Sequence, residues 1–197
     1  MAGDDKTGIR RDLLMRRRSM SRQEWLLKSE AVLGFITGLE ELRQVARVHC
    51  YVSMEAEREV STTTLLEWLC SERKEVYMPY IDRERMSSVR YLPGHSFSFP
   101  KSGPPVPEPL ILSEEERFDA VIVPVVGVDC RGARIGFGKG WYDRFFERLD
   151  ASGIRPVRIG LAFCFQVLRE VPYDPWDQFL DMVITENGIV NCMDGRA

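Results

Sequence analysis

Residues 118–129, FDAVIVPVVGVD, form a nearly unbroken run of apolar and mostly β-branched side chains. A strand with one side facing solvent alternates apolar and polar residues, so a continuous run is typical of a strand buried on both faces. Strands of that kind occur in parallel sheets that are covered by helices on each side. This run therefore restricts the chain to an α/β architecture more strongly than any other segment.

Helix and strand patterns alternate along the rest of the chain. Ser21 and Glu24 form a capping box ahead of an apolar helical face, and residues 61–72 show a second helical pattern. A proline-rich stretch, 93–109, is predicted to be a loop. We predict one domain over residues 1–197, with three layers and a mainly parallel, Rossmann-like open sheet flanked by helices. Further strands are predicted at 45–53, 75–81, 88–93, 157–163 and 181–187.

Composition disfavours several functional classes. The 197 residues carry a net charge of -3, which argues against general nucleic-acid binding, and only the segment 1–28 is basic. The five cysteines show no CxxC spacing, so we expect reduced thiols in a cytoplasmic protein and no zinc site. No apolar run reaches the ~20 residues of a membrane span. We expect a monomer that binds small molecules and neither nucleic acid nor membrane.

Residues 132–146, GARIGFGKGWYDRFF, place three glycines at alternate positions just before a predicted helix. Such glycines allow positive φ and close approach of a ligand to the backbone, and the N–H groups at a helix start attract anions. Arg134 and Lys139 add full positive charges. The turn predicts a phosphate site, although it matches neither the Walker pattern nor GxGxxG. A glycine-rich turn with solvated cations is the alternative interpretation.

Asp143 lies in the first turn of the helix that follows these glycines. Its carboxylate either compensates the helix dipole or binds magnesium beside phosphate oxygens. Asp177 and Asp181 are candidates for the second carboxylate of such a magnesium site. Asp181 is equally compatible with a surface acid that precedes a strand.

Six segments, in order along the whole chain, resemble motifs of one family. The longest, VPVVGVDCRGARIGFGKGWYDRFFERL, is similar to the pattern P-g-x-x-F-D-x-x-G-x-R-L-G-x-G-x-G-Y-Y-D-R of the 5-formyltetrahydrofolate cyclo-ligases, also called 5,10-methenyltetrahydrofolate synthetases. Trp141 replaces the first Tyr of that pattern and Val128 replaces its Phe. The other five similar segments are KTGIR, YVSMEAEREVST, VPEP, GLAFCFQ and DQFLDMVITENGI.

This resemblance implies a reaction of folate one-carbon metabolism. The family uses ATP and Mg²⁺ to convert 5-formyltetrahydrofolate to 5,10-methenyltetrahydrofolate, with release of ADP and phosphate. The formyl oxygen would be phosphorylated by ATP, and ring closure by the N10 amine would then expel phosphate. Phosphoryl transfer of this kind depends on positioning and charge neutralisation more than on side-chain chemistry.

The resemblance also assigns roles to residues of this sequence. Arg134 and Lys139 would be catalytic, and Asp143 and Asp181 would hold Mg²⁺. An ATP site would comprise Lys6, Arg10, Arg134, Ile135, Gly136, Phe137, Gly138, Lys139, Gly140, Trp141 and Tyr142. A folate site would comprise Glu59, Met54, Trp141 and Glu108.

Two details of that assignment remain open at the level of sequence. Glu59 and Glu57 both suit the acid that binds the pterin ring, and the spacing to Val60 and Thr62 favours Glu59. Lys6 and Arg10 would face the phosphates, whereas the following arginines, Arg16, Arg17 and Arg18, are expected to be surface residues.

Three other functions fit parts of the same pattern. A small-molecule kinase would share the glycine turn and the magnesium site but release a phosphorylated product. A non-catalytic folate- or nucleotide-binding protein would have no need of Lys139, Asp143 and Asp181 together. Nucleic-acid binding through the arginine run is opposed by the acidic remainder of the chain.

Overall fold

A computed structural model describes residues 2–82, 85–100 and 104–192. The helices in these ranges are α1 (Ala2–Arg18), α2 (Arg22–Thr37), α3 (Glu40–Gln44), α4 (Thr63–Ser71) and α5 (Trp141–Ala151). The strands are β1 (Arg47–Cys50), β2 (Glu75–Asp82), β3 (Arg85–Tyr91), β4 (Ser96–Ser98), β5 (Val106–Glu108), β6 (Leu112–Ser113), β7 (Ala120–Pro124), β8 (Gly127–Asp129), β9 (Arg134–Ile135), β10 (Val157–Leu161), β11 (Val167–Leu168), β12 (Met182–Thr185) and β13 (Gly188–Asn191).

Eight strands form the central sheet in the order β13-β12-β10-β7-β1-β2-β3-β6. The strands from β12 to β2 in this order run parallel to one another. β13 lies antiparallel at one edge, and β3 and β6 lie antiparallel at the other. The predicted α/β class with a mainly parallel open sheet is therefore confirmed.

The central strand β7 is buried on both faces, as its composition predicts. Ala120 and Ile122 belong to an apolar cluster that also contains side chains of α2 and α4. Val121 and Val123 belong to a second cluster on the opposite face, where they join Phe145 of α5. Helices therefore cover the sheet on each side, which gives the three layers.

The prediction of a single strand over 118–129 is wrong. β7 ends at Pro124, and the chain continues as β8 in a separate three-stranded sheet with the order β11-β8-β9. Between the two strands, the carbonyls of Val125 and Val126 accept hydrogen bonds from Nε2 of the buried Gln166, at 2.9 and 2.8 Å. A side chain thus satisfies backbone groups that a strand ladder would otherwise pair, and the chain leaves the main sheet at its carboxyl edge.

Helix α1 packs closely against this small sheet. A Cβ atom at Gly127 would lie only 2.7 Å from Cδ1 of Leu13. The helix can therefore pack this closely on β8 only because residue 127 is glycine. Leu13 is buried with Val126 and Ile135 in an apolar cluster of its own. The packing brings the basic N-terminal helix to the glycine-rich turn, which directly follows β9.

One loop prediction and one strand prediction also need correction. The stretch 93–109 contains the antiparallel ribbon of β4 and β5, while residues 101–103 lie outside the described residues. β1 is shorter than the predicted span 45–53, because the carbonyl of Tyr51 accepts a hydrogen bond from the Thr62 hydroxyl at 2.8 Å and not from a neighbouring strand. Ser21 caps α2 as predicted, accepting from the Glu24 N–H at 3.1 Å.

Candidate active site

A cavity of about 1120 Å³ opens at the carboxyl ends of β1, β2 and β7. Open α/β sheets place their ligand sites at this edge. The volume is at the upper limit of ordinary ligand pockets, so it has room for two ligands side by side. Its walls come from α1, the segment after β1, the glycine-rich turn, the first turns of α5 and the segment 174–177.

The glycine-rich turn adopts a backbone that only glycine accommodates without strain. Gly138 and Gly140 have φ values of +86° and +63°. Gly140 is the N-cap residue of α5, and no side chain of the described residues caps the first N–H groups of that helix. The positive end of the helix dipole is therefore left open to an anion in the cavity.

Two cations lie against this turn from different elements. Nε of Arg10, on α1, donates to the carbonyl of Gly136 at 2.7 Å, and its guanidinium would lie 3.3 Å from a Cβ at Gly138. Lys139 is exposed on the turn, and its ammonium pairs with no residue in the described part of the chain. We call the wall formed by residues 136–140, Arg10 and Arg134 the cationic end of the cavity.

Arg134 is held rigidly beneath the turn. Its side chain is 6% exposed, and Nη2 donates to Oδ1 of Asp143 at 2.8 Å, while Nη1 is buried without a partner among the described residues. Burial lowers the pKa of Arg134, and the charges of Asp143 and Asp177 act in the opposite direction. A buried guanidinium with an unused donor is well suited to a ligand oxygen.

Asp143 is shared between protein and cavity. Oδ1 accepts from Arg134 and from the backbone N–H of Gln178, at 2.8 and 3.1 Å. Oδ2 makes no hydrogen bond within the described residues, and it belongs to a residue that lines the cavity. One oxygen of Asp143 thus fixes the structure and the other is available to a ligand.

Lys6 extends from α1 to the opposite wall. Its Nζ lies 2.6 Å from Oδ2 of Asp174 and 2.5 Å from Oδ2 of Asp177. Burial lowers the pKa of Lys6, but the hydrogen bonds to the two aspartates outweigh burial, and the net effect is a raised pKa. The lysine is charged at neutral pH, and it binds one oxygen, Oδ2, of each aspartate.

The other side of the cavity is built on the short turn 55–57 that follows β1. Glu59 is 2% exposed, and its Oε2 accepts from the backbone N–H of Met54 at 2.7 Å, while Oε1 is buried without a partner among the described residues. Burial raises the pKa of Glu59 to about 7, although the charge of Arg17 opposes the shift. We call the wall formed by Met54, Glu57 and Glu59 the acidic end.

The geometry favours Glu59 over Glu57 as the acid that meets a ligand. Both carboxylate oxygens of Glu57 are occupied by Arg18, at 2.9 and 2.8 Å. Glu59 keeps one buried oxygen, Oε1, without a hydrogen-bond donor among the described residues. A ligand N–H donor would therefore find its partner on Glu59.

Aromatic side chains lie between the two ends. Tyr142 is half-buried, its hydroxyl oxygen is buried without a partner among the described residues, and burial raises its pKa well above the usual range. Trp141 lies at the rim, where the guanidinium of Arg144 is 4.6 Å from its ring centre. Phe137 and Trp176 line the same cavity and are 38% and 69% exposed, so both offer flat apolar faces to a ligand.

A sequence profile of the 5-formyltetrahydrofolate cyclo-ligase family matches residues 2–186. The chain belongs to this family. The match covers every wall of the cavity, from α1 to the segment 174–177.

Individual cyclo-ligases and solved structures agree with this membership. The 5-formyltetrahydrofolate cyclo-ligase of Mus musculus is 26% identical over 193 residues, which cover 92% of this chain and 94% of the mouse protein. That of Saccharomyces cerevisiae is 30% identical over 170 residues, 74% of this chain and 78% of the yeast protein. The 5,10-methenyltetrahydrofolate synthetase of Aquifex aeolicus superimposes with a TM-score of 0.81 at 30% identity, covering 98% of this chain and 95% of that one. The synthetase of Mycoplasma pneumoniae, 22% identical, shares the fold with a TM-score of 0.72 over 92% of this chain and 99% of its own.

Most residues that the cyclo-ligase pattern identifies meet in the one cavity. Ile135 is buried below the turn in the cluster with Leu13, so it supports the glycines and offers no side chain to a ligand. The cavity-lining residues among those predicted are Lys6, Arg10, Met54, Glu59, Arg134, Gly136, Phe137, Gly138, Lys139, Gly140, Trp141, Tyr142 and Asp143.

Two predicted cyclo-ligase residues do not reach the cavity. Asp181 precedes β12 at the amino edge of the sheet, and its Oδ2 accepts the backbone N–H of Arg158 at 2.7 Å. Asp181 is therefore not among the residues that line the cavity with Asp143, and its role as a second metal ligand stays a prediction. Glu108 is exposed at the end of β5, where it pairs with Ser96 and does not line the cavity.

Three residues with a place in the cavity region were assigned no role from sequence. Asp174 binds Lys6, Trp176 lines the wall, and Arg17 is buried behind the acidic end, although it was expected on the surface. The position of Arg17 carries a weak signal, because it shares one helical face with Leu13 and Met20, which are also buried. No local pattern distinguishes Asp174 or Trp176.

The donor set fits a polyphosphate at the cationic end. Open helix N–H groups, an unpaired Lys139 ammonium and an unused Arg134 nitrogen all converge there. The protein by itself offers few ligands to a metal ion, since the described residues contain no group of three His, Cys, Asp or Glu side chains that could bind one. Magnesium usually takes one or two carboxylates together with phosphate oxygens and water, so Asp143 fits a cation that arrives with the phosphates.

Proposed function

We propose that this protein is a 5-formyltetrahydrofolate cyclo-ligase that uses ATP to form 5,10-methenyltetrahydrofolate, ADP and phosphate. Family membership and the names of its relatives support the activity. The observation that carries the proposal is a single cavity with a phosphate-binding turn at one end and a buried carboxyl group with a free oxygen at the other. A reaction between a nucleotide and a second, nitrogen-rich substrate needs both.

The cationic end would position and neutralise the γ-phosphate of ATP. Lys139 and the helix N–H groups would bind its oxygens, and the fixed guanidinium of Arg134 would stabilise charge that develops as the phosphoryl group moves to the formyl oxygen. Arg10 already lies over Gly138, so it would close the turn from the opposite side. The reaction then needs no general base at the attacking oxygen.

Magnesium would be held by Asp143 and the phosphates together. Bound there, it would neutralise phosphate charge and orient the γ-phosphate. Lys6 would supply a further positive charge while Asp174 and Asp177 hold it in place.

The acidic end would bind the pterin ring of the folate. A carboxylate at Glu59 can accept two adjacent N–H donors of a pterin, and the free Oε1 has no competing protein partner. Met54 fixes the other oxygen, and Trp141 at the rim would cover the ring. The N10 amine would attack once the formyl oxygen is phosphorylated, and phosphate would leave.

A spectrophotometric assay tests the activity directly. Purified protein with 5-formyltetrahydrofolate, Mg²⁺ and ATP is expected to produce the methenyl absorbance and one ADP per turnover. Omission of ATP should abolish it. ATP consumption that yields a phosphorylated product without the methenyl chromophore would favour a kinase, and tight ligand binding without turnover would favour a binding protein.

The proposed setting is a cytoplasmic monomer that acts on small molecules. The cavity is formed within one chain, and all five cysteines are unpaired, as in a reducing compartment. No helix among the described residues has the length and apolar character of a membrane span. The basic helix offers little to nucleic acid, because Arg17 is buried and Lys6 and Arg18 are paired with acids.

A further inference from the structure

Arg17 is 1% exposed, although its neighbours on α1, Arg16 and Arg18, both face solvent. Its Nε donates to the carbonyl of Glu57 at 2.7 Å and Nη1 to the carbonyl of Val125 at 3.1 Å. Nη2 is buried without a hydrogen-bond partner among the described residues. A buried cation that is not fully paired is destabilising unless a negative group lies close to it, so its surroundings decide what it does.

Two carboxyl groups lie near this guanidinium. The Glu57 carboxylate is 3.9 Å from Nη2, but Arg18 occupies both its oxygens. Glu59 makes no ion pair among the described residues, and its strongest favourable charge interaction is with Arg17. The ring of Phe137, 5.5 Å from Cζ of Arg17, covers the guanidinium on the side of the glycine turn.

We propose that Arg17 is the positioning residue of the acidic end: it ties the turn that carries Glu59 to the end of β7, and its charge stabilises the carboxylate form of Glu59. The inference rests on the proposed function, because it concerns how the folate is bound. Arg17 acts through Glu59 and touches neither substrate. It lies outside the six segments whose resemblance to the family's motifs is described above.

The groups around Glu59 determine in which direction its pKa is shifted. Burial raises the pKa of Glu59 to about 7, Arg17 and the Met54 N–H lower it, and Glu57 raises it. Tyr51 and Tyr142 also face Glu59, and burial raises the pKa of both hydroxyls well above the usual range, so they stay neutral. Burial lowers the pKa of Arg17 itself, but an arginine remains charged at neutral pH.

These charges predict a specific pH dependence. Protonated Glu59 loses an acceptor for the pterin N–H donors, so the KM for 5-formyltetrahydrofolate should rise as the pH falls through about 7. Without Arg17, the pKa of Glu59 should rise further, so the increase in KM should begin at a higher pH. If that pKa moves by about one unit, KM increases by about tenfold on the acid side and is unchanged well above both pKa values.

The test compares Arg17→Met with Arg17→Lys and with Arg11→Met, a control on an exposed arginine of the same helix. KM for 5-formyltetrahydrofolate is measured from pH 6 to 9 at saturating ATP, and KM for ATP is measured in parallel. Arg17→Met should move the inflection of the folate KM to higher pH, while KM for ATP changes less than about twofold. Arg17→Lys keeps the charge and should leave the inflection closer to that of the parent, and Arg11→Met should not move it.

Two further measurements separate this inference from the proposed function. In a Glu59→Gln background, adding Arg17→Met should leave the pH profile unchanged, because the titrating group is absent. Calorimetric titration of the parent and Arg17→Met with 5-formyltetrahydrofolate at pH 6 and 8 reports binding even without turnover. Superimposable pH profiles for parent and Arg17→Met would overturn the inference alone, whereas a parent protein that neither binds nor converts the folate would overturn the proposed function and this inference with it.

Discussion

The cationic and acidic ends of the cavity are built in different ways. At the cationic end, the glycine turn, Arg134 and Lys139 lie within seven consecutive residues, 134–140, and Arg10 is the distant addition. At the acidic end, Glu59 depends on Arg17 from α1, on Met54 from its own turn and on Trp25 of α2, whose Nε1 donates to the Glu59 carbonyl at 2.5 Å. A phosphate site can thus be encoded locally, whereas a buried carboxyl group needs several segments around it.

The two ends also differ in solvent exposure. Lys139 is exposed and keeps its full hydration until a ligand arrives, so its charge needs no protein partner. Glu59 is 2% exposed, and burial raises its pKa to about 7. We expect substitutions at the cationic end to act mainly on ATP binding and the chemical step, and those at the acidic end to act mainly on folate binding with a strong dependence on pH.

The largest expected effect is that of Lys139→Ala. If the ammonium binds the phosphoryl group in transfer, kcat should fall by about 10²- to 10³-fold with little change in KM for folate. Steady-state kinetics with the methenyl assay measures both. Lys28→Ala, which removes a lysine of α2 paired with Glu24 and Glu186, is the matched control. Near-normal turnover of Lys139→Ala would remove this lysine from the mechanism.

Glu59→Gln should increase KM for 5-formyltetrahydrofolate by roughly 10- to 100-fold and remove its dependence on pH near 7, because the neutral amide cannot titrate. The measurement is KM against pH at saturating ATP. Glu57→Gln is the comparison, since that carboxylate is occupied by Arg18. A larger effect at Glu57 than at Glu59 would reverse the assignment of the two acids.

Arg10→Ala should increase KM for ATP by about tenfold, and more than KM for folate, since its guanidinium lies on the glycine turn. Competition with ADP in the same assay gives an independent measure of nucleotide binding. Arg16→Ala removes an exposed arginine whose guanidinium lies on Phe165, so it is the control on the same helix. An increase in KM for folate with no change in KM for ATP would contradict the assignment of Arg10 to the ATP site.

The smallest effect concerns magnesium. Asp143→Asn should increase the Mg²⁺ concentration needed for half-maximal activity by several-fold, because Asp143 would supply one carboxylate to the ion and the phosphates would supply further oxygens. Asp181→Asn should leave that concentration unchanged, since its carboxylate binds the backbone of Arg158. An equal increase in that Mg²⁺ concentration for both variants would indicate that Asp181 is also a ligand of the ion.

Prediction from sequence succeeded better at the cationic end than at the acidic end. The glycine turn was predicted in place because its requirement for positive φ appears as glycine in the sequence itself. The burial of Arg17 was missed because charge alone indicates a solvated face, and only the packing of α1 on the small sheet turns that face inward. The metal role of Asp181 stays a prediction: it directly precedes β12 and is not among the cavity-lining residues, a position that the order of residues in a family motif does not reveal.

By itself, the sequence determined the buried central strand and the glycine-rich turn, because each is encoded in a short stretch of adjacent residues, and six segments in order along the chain indicated the family. The tertiary structure alone decided where the chain leaves the sheet after Pro124, which aspartates bind Lys6, and that Glu59 is buried in the cavity wall where the charge of Arg17 acts on it. These features depend on contacts between residues that are far apart in the chain. Burial and charge at such contacts arise only when the segments pack together.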